Sequence, residues 1–314
     1  MNGRTRRRSL LSIADLSADE LVELVRRSSW HARADRSAAG TPLAGSVVGT
    51  YFRTTSTRTR TSFTVAAQRL GAGVVAYGPH DLQENTGETV SDTARVLSGM
   101  LDALVARTAA DPAELRALAD QERMAVVNAM SADEHPTQAI ADLSVLSTLR
   151  GRLDGLRVCY LGEGNSTAAA LALALARIPD ATLHLRTPEG YGLPAYIRRM
   201  AMQTAALHGA VVDEQHDPHR IPEAVDVVYT ARWQTTGSVK PDPSWRTSFT
   251  PFRVTTELMD RLPNAHFMHD LPAHRGVEVD AEVLDGPRSI AFTQARHKLY
   301  SAMAVLEWVV RGAW

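Results

Sequence analysis

Residues 46–77 read SVVGTYFRTTSTRTRTSFTVAAQRLGAGVVAY and contain a complete β-α-β pattern. A run rich in β-branched residues, Ser46–Phe52, is followed by the apolar spacing of a helix over Thr61–Leu70, which Gly71 ends. A second β-branched run follows at Gly73–Tyr77. Two strands joined through a helix pair in parallel, so this stretch predicts a parallel α/β sheet.

The same alternation continues along the chain and predicts two α/β domains. In the first half, further strands are expected at Ala103–Val105 and Ala125–Val127, and helices are expected over Ser91–Met100 and after the capping box Ser17–Glu20. The second set of expected strands is Leu156–Leu161, Thr182–Leu185, Val225–Thr230, Ala265–His269 and Ser289–Phe292. A helix over Ala139–Leu149 would connect the two sets, and a last helix over Leu299–Val310 would return to the first domain.

The composition excludes several classes of protein. The 314 residues are 44% hydrophobic and 22% charged, which is far from a disordered or low-complexity chain. A formal net charge of -1 gives no long-range attraction to nucleic acid or to an anionic membrane. The longest apolar run, Ala168–Ala176, is too short to span a bilayer, and Ser9–Leu16 lacks the apolar core of a signal peptide. We expect a cytoplasmic protein, and the lone Cys159 is expected to be a buried strand residue.

The most informative motif is STRTRTS at residues 56–62, which follows the strand ending near Phe52 and directly precedes a helix over Phe63–Leu70. Hydroxyl and guanidinium groups gathered at a helix N-terminus, where free N–H groups favour negative charge, form a phosphate site. The alternative is a surface segment that only caps the helix, although a cap needs far fewer hydrogen-bond donors.

A second polar cluster, HPTQ at residues 135–138, lies between the strand Ala125–Val127 and the helix that starts at Ala139. In that place a neutral imidazole and an amide could hydrogen-bond a carbonyl group. Taken alone the cluster is weak, because a histidine before a proline is more often a turn residue.

Two further clusters raise alternatives. His266, His269, Asp270 and His274 lie close in sequence, as metal ligands often do, but no second coherent ligand set appears elsewhere, so no metal is expected. Leu161–Ser166 follows a strand like a dinucleotide-binding loop, yet it lacks the third glycine and a ribose-binding acid on the next strand. No cofactor is therefore expected.

Together and in this order, the clusters resemble the aspartate/ornithine carbamoyltransferase family over essentially the whole chain. Residues 56–60 match its carbamoyl phosphate signature, and residues 135–138 match its second signature. Further matches favour the ornithine branch: DTARVLS at 92–98, VYT at 228–230, FMH at 267–269 and LPAHRG at 271–276.

The resemblance implies two Rossmann-like parallel-sheet domains. Residues 1–140 would bind carbamoyl phosphate, residues 141–298 would bind the acceptor, and residues 299–314 would be a C-terminal helix packed back on the first domain. A homotrimer without metal or cofactor is implied as well. In the implied reaction an uncharged amine attacks the carbamoyl carbon, a tetrahedral oxyanion forms and phosphate leaves, so the protein supplies clamps and oxyanion donors.

The resemblance also implies a role for individual residues. Those implied to bind carbamoyl phosphate are Ser56, Thr57, Arg58, Thr59, Gln83, Arg107, His135, Gln138 and the carbonyl of Leu271. Those implied to be catalytic are Arg58, Arg107, His135, Gln138, Asp270 and Lys298. Those implied to line the acceptor site are Asn128, Asn165, Ser166, Ala231, Thr235, Thr236 and Asp270. Gln83 would reach into the carbamoyl phosphate site of a neighbouring subunit.

The acceptor half departs from the family's pattern. The family's aspartate that grips the ornithine α-ammonium is Ala231 here, its Ser-Met-Gly loop is residues 235–237 (TTG), and the second asparagine of its α-carboxylate pair is Ser166. Its cysteine in His-Cys-Leu-Pro is Asp270, and an arginine near the C-terminus is Lys298, which keeps a charge without bidentate geometry. Asp270 would attract a cationic acceptor or take a proton from the attacking amine; a helix-cap or salt-bridge role is the alternative.

These departures predict carbamoyl transfer to an amine other than ornithine. The candidates are a diamino acid, a polyamine-like amine or a peptide-bound amino group, as in ureido-containing antibiotics of specialised metabolism. One alternative is an ornithine carbamoyltransferase of arginine biosynthesis with unusual acceptor contacts. Another is a non-catalytic member that binds carbamoyl phosphate or a partner, although an intact donor half from Ser56 to Gln138 argues against it.

Overall fold

The computed structural model describes residues 7–34, 40–234 and 239–312, except for the side chains of Glu84 and Asn85. The chain divides into two units. Unit 1 is Met1–Ser144 with His297–Trp314, and unit 2 is Val145–Arg296. Each unit has its own parallel sheet flanked by helices, which confirms the predicted fold class.

Unit 1 contains a four-stranded parallel sheet in the order β2-β1-β3-β4. The strands are β1 (Val47–Phe52), β2 (Gly73–Tyr77), β3 (Ala103–Arg107) and β4 (Ala125–Asn128). The helices that begin in this part of the chain are α1 (Ala18–Arg33), α2 (Arg58–Arg69), α3 (Val90–Leu97), α4 (Pro112–Ala119) and α5 (Pro136–Arg150). The last helix, α11 (Ala291–Arg311), supplies residues from His297 onward.

Local sequence rules explain where these elements begin and which strands are buried. The predicted capping box opens α1, because the Ser17 hydroxyl accepts from the Glu20 N–H and the Glu20 carboxylate accepts from the Ser17 N–H. The inner strand β3 and the strand β4 are almost wholly buried, whereas the edge strand β2 is largely exposed.

Unit 2 contains a five-stranded parallel sheet in the order β7-β6-β5-β8-β9. The strands are β5 (Arg157–Leu161), β6 (Thr182–Arg186), β7 (Val211–Gln215), β8 (Val227–Thr230) and β9 (His266–His269). The helices are α6 (Ser166–Leu175), α7 (Ala195–His208), α8 (Trp245–Phe249), α9 (Thr256–Arg261) and α10 (Ala281–Leu284). Cys159 is buried in β5 as predicted, and this burial raises the pKa of its thiol to about 12.

The structure corrects two sequence predictions of elements and contains a strand that was not predicted. Helix α2 begins at Arg58 rather than Thr61, because its first turn is polar and hides the helical pattern. The expected strand Ser289–Phe292 is wrong: a bridge from Ser289 to Phe267 is followed at once by α11. Strand β7 was not predicted, because its second half is polar. None of the helices in the described part of the chain combines the length and the hydropathy of a membrane-spanning segment.

Candidate active site

Three strands of unit 1 end side by side at one edge of the sheet. Phe52 of β1 is level with Arg107 of β3, and Ala106 of β3 is level with Asn128 of β4. Ligands of open α/β sheets bind beyond the carboxyl ends of the strands. The loops after β1, β3 and β4, which carry the predicted donor residues, therefore lie at the edge where a site is expected.

The STRTRTS motif forms the start of α2. Thr57 is the N-cap residue and makes no side-chain cap bond, Ser56 is half-buried, and Thr59 is 5% exposed in the first turn. Arg58 is half-buried in the same turn. Because an N-cap side chain does not cover this end of the helix, its dipole and first-turn N–H groups are directed at the loop, as an anion site requires.

A small cleft, partly open to solvent, lies beside this turn. The side chains that line it are Thr59, Ser62, Phe63, His135, Thr137, Gln138, Lys298 and Ser301. They come from α2, from α5 with the residue before it, and from α11, so residues far apart in sequence meet within unit 1. Four of the eight were predicted site residues.

Gln138 lies at the centre of a buried polar network. Nζ of Lys298 donates to Oε1 of Gln138, and Nε2 of Gln138 donates across 2.7 Å to Oδ1 of Asp142. Both contacts fix the orientation of the amide, with its oxygen toward the cation. A primary amide has two N–H groups and two lone pairs, so these bonds leave capacity for a ligand.

His135 is held uncharged by its surroundings. Burial, together with the positive charges of Lys298 and Arg107, lowers the pKa of His135 well below its ordinary value of 6.5. The ring lies 4% exposed, and Nδ1 is 3.3 Å from the Thr137 hydroxyl. A neutral imidazole at neutral pH can hydrogen-bond a carbonyl group without adding a proton to it.

Two other predicted residues of unit 1 lie elsewhere. Gln83 is exposed at the start of a single turn of 3-10 helix, Gln83–Thr86, and its contact with another subunit stays a prediction. The Asn128 amide donates to Leu11 and accepts from the Met130 N–H across 2.9 Å. Its role toward the acceptor also stays a prediction, beside a clear function in shaping this loop.

In unit 2, the predicted acceptor residues follow three adjacent strands. Asn165 and Ser166 follow β5, Ala231 follows β8, and Asp270 follows β9. Asn165 is the N-cap of α6 and accepts from two of its first-turn N–H groups, and Ser166 and Ala231 are buried. Thr235 and Thr236 lie outside the described residues.

The Asp270 carboxylate is held by a hydrogen bond to one of its oxygens. Its Oδ2 accepts from the Thr167 hydroxyl across 2.8 Å, and its Oδ1 lies 3.5 Å from Nδ1 of His269. That Nδ1 accepts the N–H of Leu271 across 2.8 Å, so Nε2 carries the ring proton and faces the buried Glu278. Among the residues that the structure describes, no group of three His, Cys, Asp or Glu could hold a metal ion.

Several site residues were not predicted from the sequence. Ser301 lies three residues after Lys298 on α11, so its position on the same face was open to prediction from helical spacing. Thr137 lies within the second signature but was given no role. Thr167 carries no sequence signal, because its partner Asp270 lies 103 residues away.

Comparison with known families agrees with this arrangement. Residues 8–148 match the model for the carbamoyl-P binding domain of aspartate/ornithine carbamoyltransferase, and residues 154–309 match the model for its Asp/Orn binding domain. The chain belongs to the aspartate/ornithine carbamoyltransferase family. The predicted resemblance and the predicted carbamoyltransferase class are thereby confirmed.

Individual relatives within the carbamoyltransferase family match over nearly the full length. An ornithine carbamoyltransferase of Symbiobacterium thermophilum is 38% identical over 306 residues, which are 96% of this chain and 98% of the relative. The solved ornithine carbamoyltransferase of Pyrococcus furiosus has a TM-score of 0.89 at 34% identity, with 98% of this chain and 99% of that chain covered. The anabolic enzyme of Campylobacter jejuni has a TM-score of 0.90 at 27% identity, with coverage of 98% and 100%.

Proposed function

We propose that this protein transfers the carbamoyl group of carbamoyl phosphate to the amine of an amino acid, with ornithine as the first candidate acceptor. The observation that carries the proposal is the cleft of unit 1 in which Thr59, His135, Gln138 and Lys298 meet. The relatives described above are named ornithine carbamoyltransferases, which favours ornithine over the different acceptor expected from the sequence.

The start of α2 would bind the phosphate group. Ser56, Thr57 and Thr59 offer hydroxyl donors there, Arg58 offers a guanidinium, and the helix dipole adds a positive potential. Arg107 would bridge phosphate and the carbamoyl oxygen; its charge acts on His135, which lines the cleft. Such donors stabilise the negative charge that grows as phosphate departs.

The carbamoyl group would lie against His135, Gln138 and Lys298. The amine lone pair forms the new C–N bond while the carbonyl electrons move onto oxygen, and the cation of Lys298 stabilises this oxyanion. The C–O bond to phosphate then breaks, and phosphate leaves with its electron pair. The nitrogen releases one proton, which the departing phosphate accepts.

A second candidate acceptor is an amine other than ornithine. The specific observation that favours it is the pair Ala231 and Asp270: a buried methyl group stands where the family's resemblance implies an ammonium-binding aspartate, and a half-buried carboxylate stands where it implies a cysteine. A carboxylate at this place suits a cationic acceptor such as a diamino acid, a polyamine-like amine or a peptide-bound amine. Ureido antibiotic metabolism and a cytoplasmic location stay predictions.

Phosphate release from carbamoyl phosphate tests both candidates. Ornithine, putrescine, lysine, 2,3-diaminopropionate and aspartate are supplied separately, with Arg58→Ala as the control. Turnover of ornithine alone, lost in the control, supports the first candidate, and turnover of another amine alone supports the second. Binding of carbamoyl phosphate without turnover of any amine would instead favour a non-catalytic member.

We also propose the homotrimer that the sequence resemblance implies, with Gln83 serving a neighbouring subunit. A light-scattering mass of three chains is expected. A sharper test mixes Arg58→Ala chains with Gln83→Ala chains after mild dissociation. Activity regained on mixing requires a site shared between chains, whereas a monomeric mass would contradict the proposal.

A further inference from the structure

Unit 2 contains a lysine whose side chain is almost completely enclosed. The Lys240 side chain is 4% exposed, and its Nζ donates to Oε1 of Glu163. The same nitrogen lies 4.7 Å from the ring centroid of Tyr191, 5.2 Å from that of Trp245 and 4.9 Å from that of Phe249. These three rings and the Glu163 carboxylate are referred to below as the Lys240 cage.

The Lys240 cage surrounds the Lys240 ammonium with groups that stabilise a cation. Lys240 is one of two lysines among the 34 basic residues of the chain, and all the others are arginines. An ammonium is compact and strongly hydrated, and here three aromatic faces and one carboxylate replace its water. Burial raises the pKa of Glu163, and the Lys240 ammonium opposes that rise.

Glu163 belongs to the turn after β5, which is packed tightly against its surroundings. The Tyr160 hydroxyl donates to the Glu163 carbonyl across 2.9 Å, and the Gly164 N–H donates to the Tyr191 carbonyl across 2.8 Å. A Cβ on Gly164 would lie 2.3 Å from the backbone of Gly192, so only glycine fits. The backbone of the turn is therefore closely packed against residues 191–193, and Glu163 is the side chain that ties the turn to Lys240.

The same turn leads directly into the acceptor residues. Asn165 follows Glu163 by two positions and caps α6, its Oδ1 accepting the N–H of Thr167 across 3.0 Å. The Thr167 hydroxyl in turn donates to Asp270. Two of the side chains predicted to bind the acceptor, Asn165 and Asp270, are thus connected to the turn at Glu163.

We propose that Lys240 is a positioning residue for acceptor binding, which holds Glu163 and thereby fixes the turn that carries Asn165 and the start of α6. This inference rests on the proposed function, because it concerns the acceptor of the same reaction. Lys240 acts through Glu163 and does not touch the reacting atoms. Its loss would leave a half-buried carboxylate without its counter-charge and so displace the turn.

The first test is Lys240→Met, which keeps the apolar stem and removes the charge. The acceptor KM is expected to rise about tenfold or more, because small misplacements of binding groups are costly, while the carbamoyl phosphate KM stays within about twofold. Arg150→Met is the matched control: it removes a 2.8 Å ion pair with Asp226 at the N-terminal ends of β5 and β8. It is expected to leave both KM values unchanged.

Chemical rescue separates positioning from general stability. Lys240→Ala is assayed with n-propylammonium chloride, with sodium chloride at the same ionic strength and with the wild type in each salt as the baseline. The alkylammonium ion is expected to restore the acceptor KM, and sodium chloride is not. Glu163→Gln combined with Lys240→Met is expected to raise the acceptor KM no more than either change alone, because the two residues act as one unit.

Distinct results overturn the inference and the proposed function. An unchanged acceptor KM in Lys240→Met, with normal turnover by the wild type, would overturn the inference alone. An equal rise of both KM values would also overturn it, because a merely structural loss affects the whole protein. No turnover by the wild type with any amine would overturn the proposed function and the inference with it.

Discussion

The Thr167 hydroxyl donates to Oδ2 of Asp270 across 2.8 Å and so joins the first turn of α6 to the residue after β9. The Asp270 side chain remains 18% exposed. A carboxylate held on one oxygen and partly open to water presents a negative charge in a fixed direction. Mutation of Asp270 therefore tests directly whether this charge has the acceptor role proposed for it.

Replacing Asp270 by asparagine removes the charge and keeps the shape. If the acceptor is cationic, Asp270→Asn is expected to raise the acceptor KM about tenfold or more and to leave the carbamoyl phosphate KM within about twofold. Thr167→Val is the matched control, since it removes the hydrogen bond but keeps the charge, and a smaller effect is expected. Steady-state kinetics with the best acceptor measures both, and equal KM values in Asp270→Asn and the wild type would contradict the assigned role.

Lys298 is expected to stabilise the carbamoyl oxyanion. Lys298→Met removes the cation that contacts Gln138 and is expected to lower kcat about 100-fold, the usual cost of losing one oxyanion donor. Lys298→Arg keeps the charge and is expected to retain more activity than Lys298→Met. Single-turnover phosphate release is the measurement, and equal rates in the two variants would show that the charge is not required.

The lowered pKa of His135 is expected to make the free energy of unfolding depend on pH. The pKa of His135 in the folded protein lies well below 6.5. Between that pKa and 6.5, the unfolded chain binds a proton at His135 and the folded protein does not. The free energy of unfolding is therefore expected to fall as the pH drops below about 6.5, by at most about 1.4 kcal/mol per pH unit from this group. Urea denaturation of the wild type and His135→Gln from pH 8 to pH 5 measures the difference, and parallel curves would refute the expectation.

Glu307 anchors α11 to α1 within unit 1. Its side chain is 1% exposed and bonds Arg27 across 2.6 and 2.8 Å and His31 across 3.2 Å. Burial raises the pKa of Glu307, but the bonds to His31 and Arg27 outweigh it and lower the pKa below 4.5. Its stabilisation is therefore present above about pH 4.5 and is lost as the pH falls through the folded pKa.

Glu307→Gln is expected to lower the free energy of unfolding at pH 7 by about 2–4 kcal/mol, because a buried ion pair loses its anion. The loss is expected to shrink below pH 4.5. The exposed pair Arg26 and Glu23 on α1 provides the comparison, since Glu23→Gln is expected to cost under about 1 kcal/mol. Equal losses in the two variants would contradict the anchoring role.

Much of the fold was open to prediction because local patterns specify it. β-branched runs such as Val47–Phe52 marked buried parallel strands, and the capping box at Ser17 marked the start of α1. Polar strands were harder to predict. β7 ends in Asp213, Glu214 and Gln215. Because β7 is an edge strand, these positions do not need alternating apolar residues. The run at Ser289–Phe292 is too short for periodicity to separate a strand from the start of a helix.

Candidate site residues could be predicted where they belong to a sequence motif. Side chains that meet only through tertiary contacts could not be predicted. The hydroxyls and arginines at residues 56–60 and the HPTQ cluster carry their signal in sequence. The bond between Thr167 and Asp270, and the enclosure of Lys240, depend on which chain segments the sheet brings together. Lys298 was predicted from the family resemblance alone, and Lys240 was given no role from the sequence.

Unit 1 is made of two separated stretches, since its last segment, His297–Trp314, follows the whole of unit 2. On the ribosome, the N-terminal stretch emerges on the order of ten seconds before that segment, at about 5–20 residues per second. Until then the apolar surface that packs against Val305 and Leu306 stays exposed; in the folded protein both residues are 0% exposed. The cleft also lacks Lys298 until then. A nascent chain, or a chain truncated before α11, is therefore expected to expose this apolar surface, which is the kind of surface that favours aggregation.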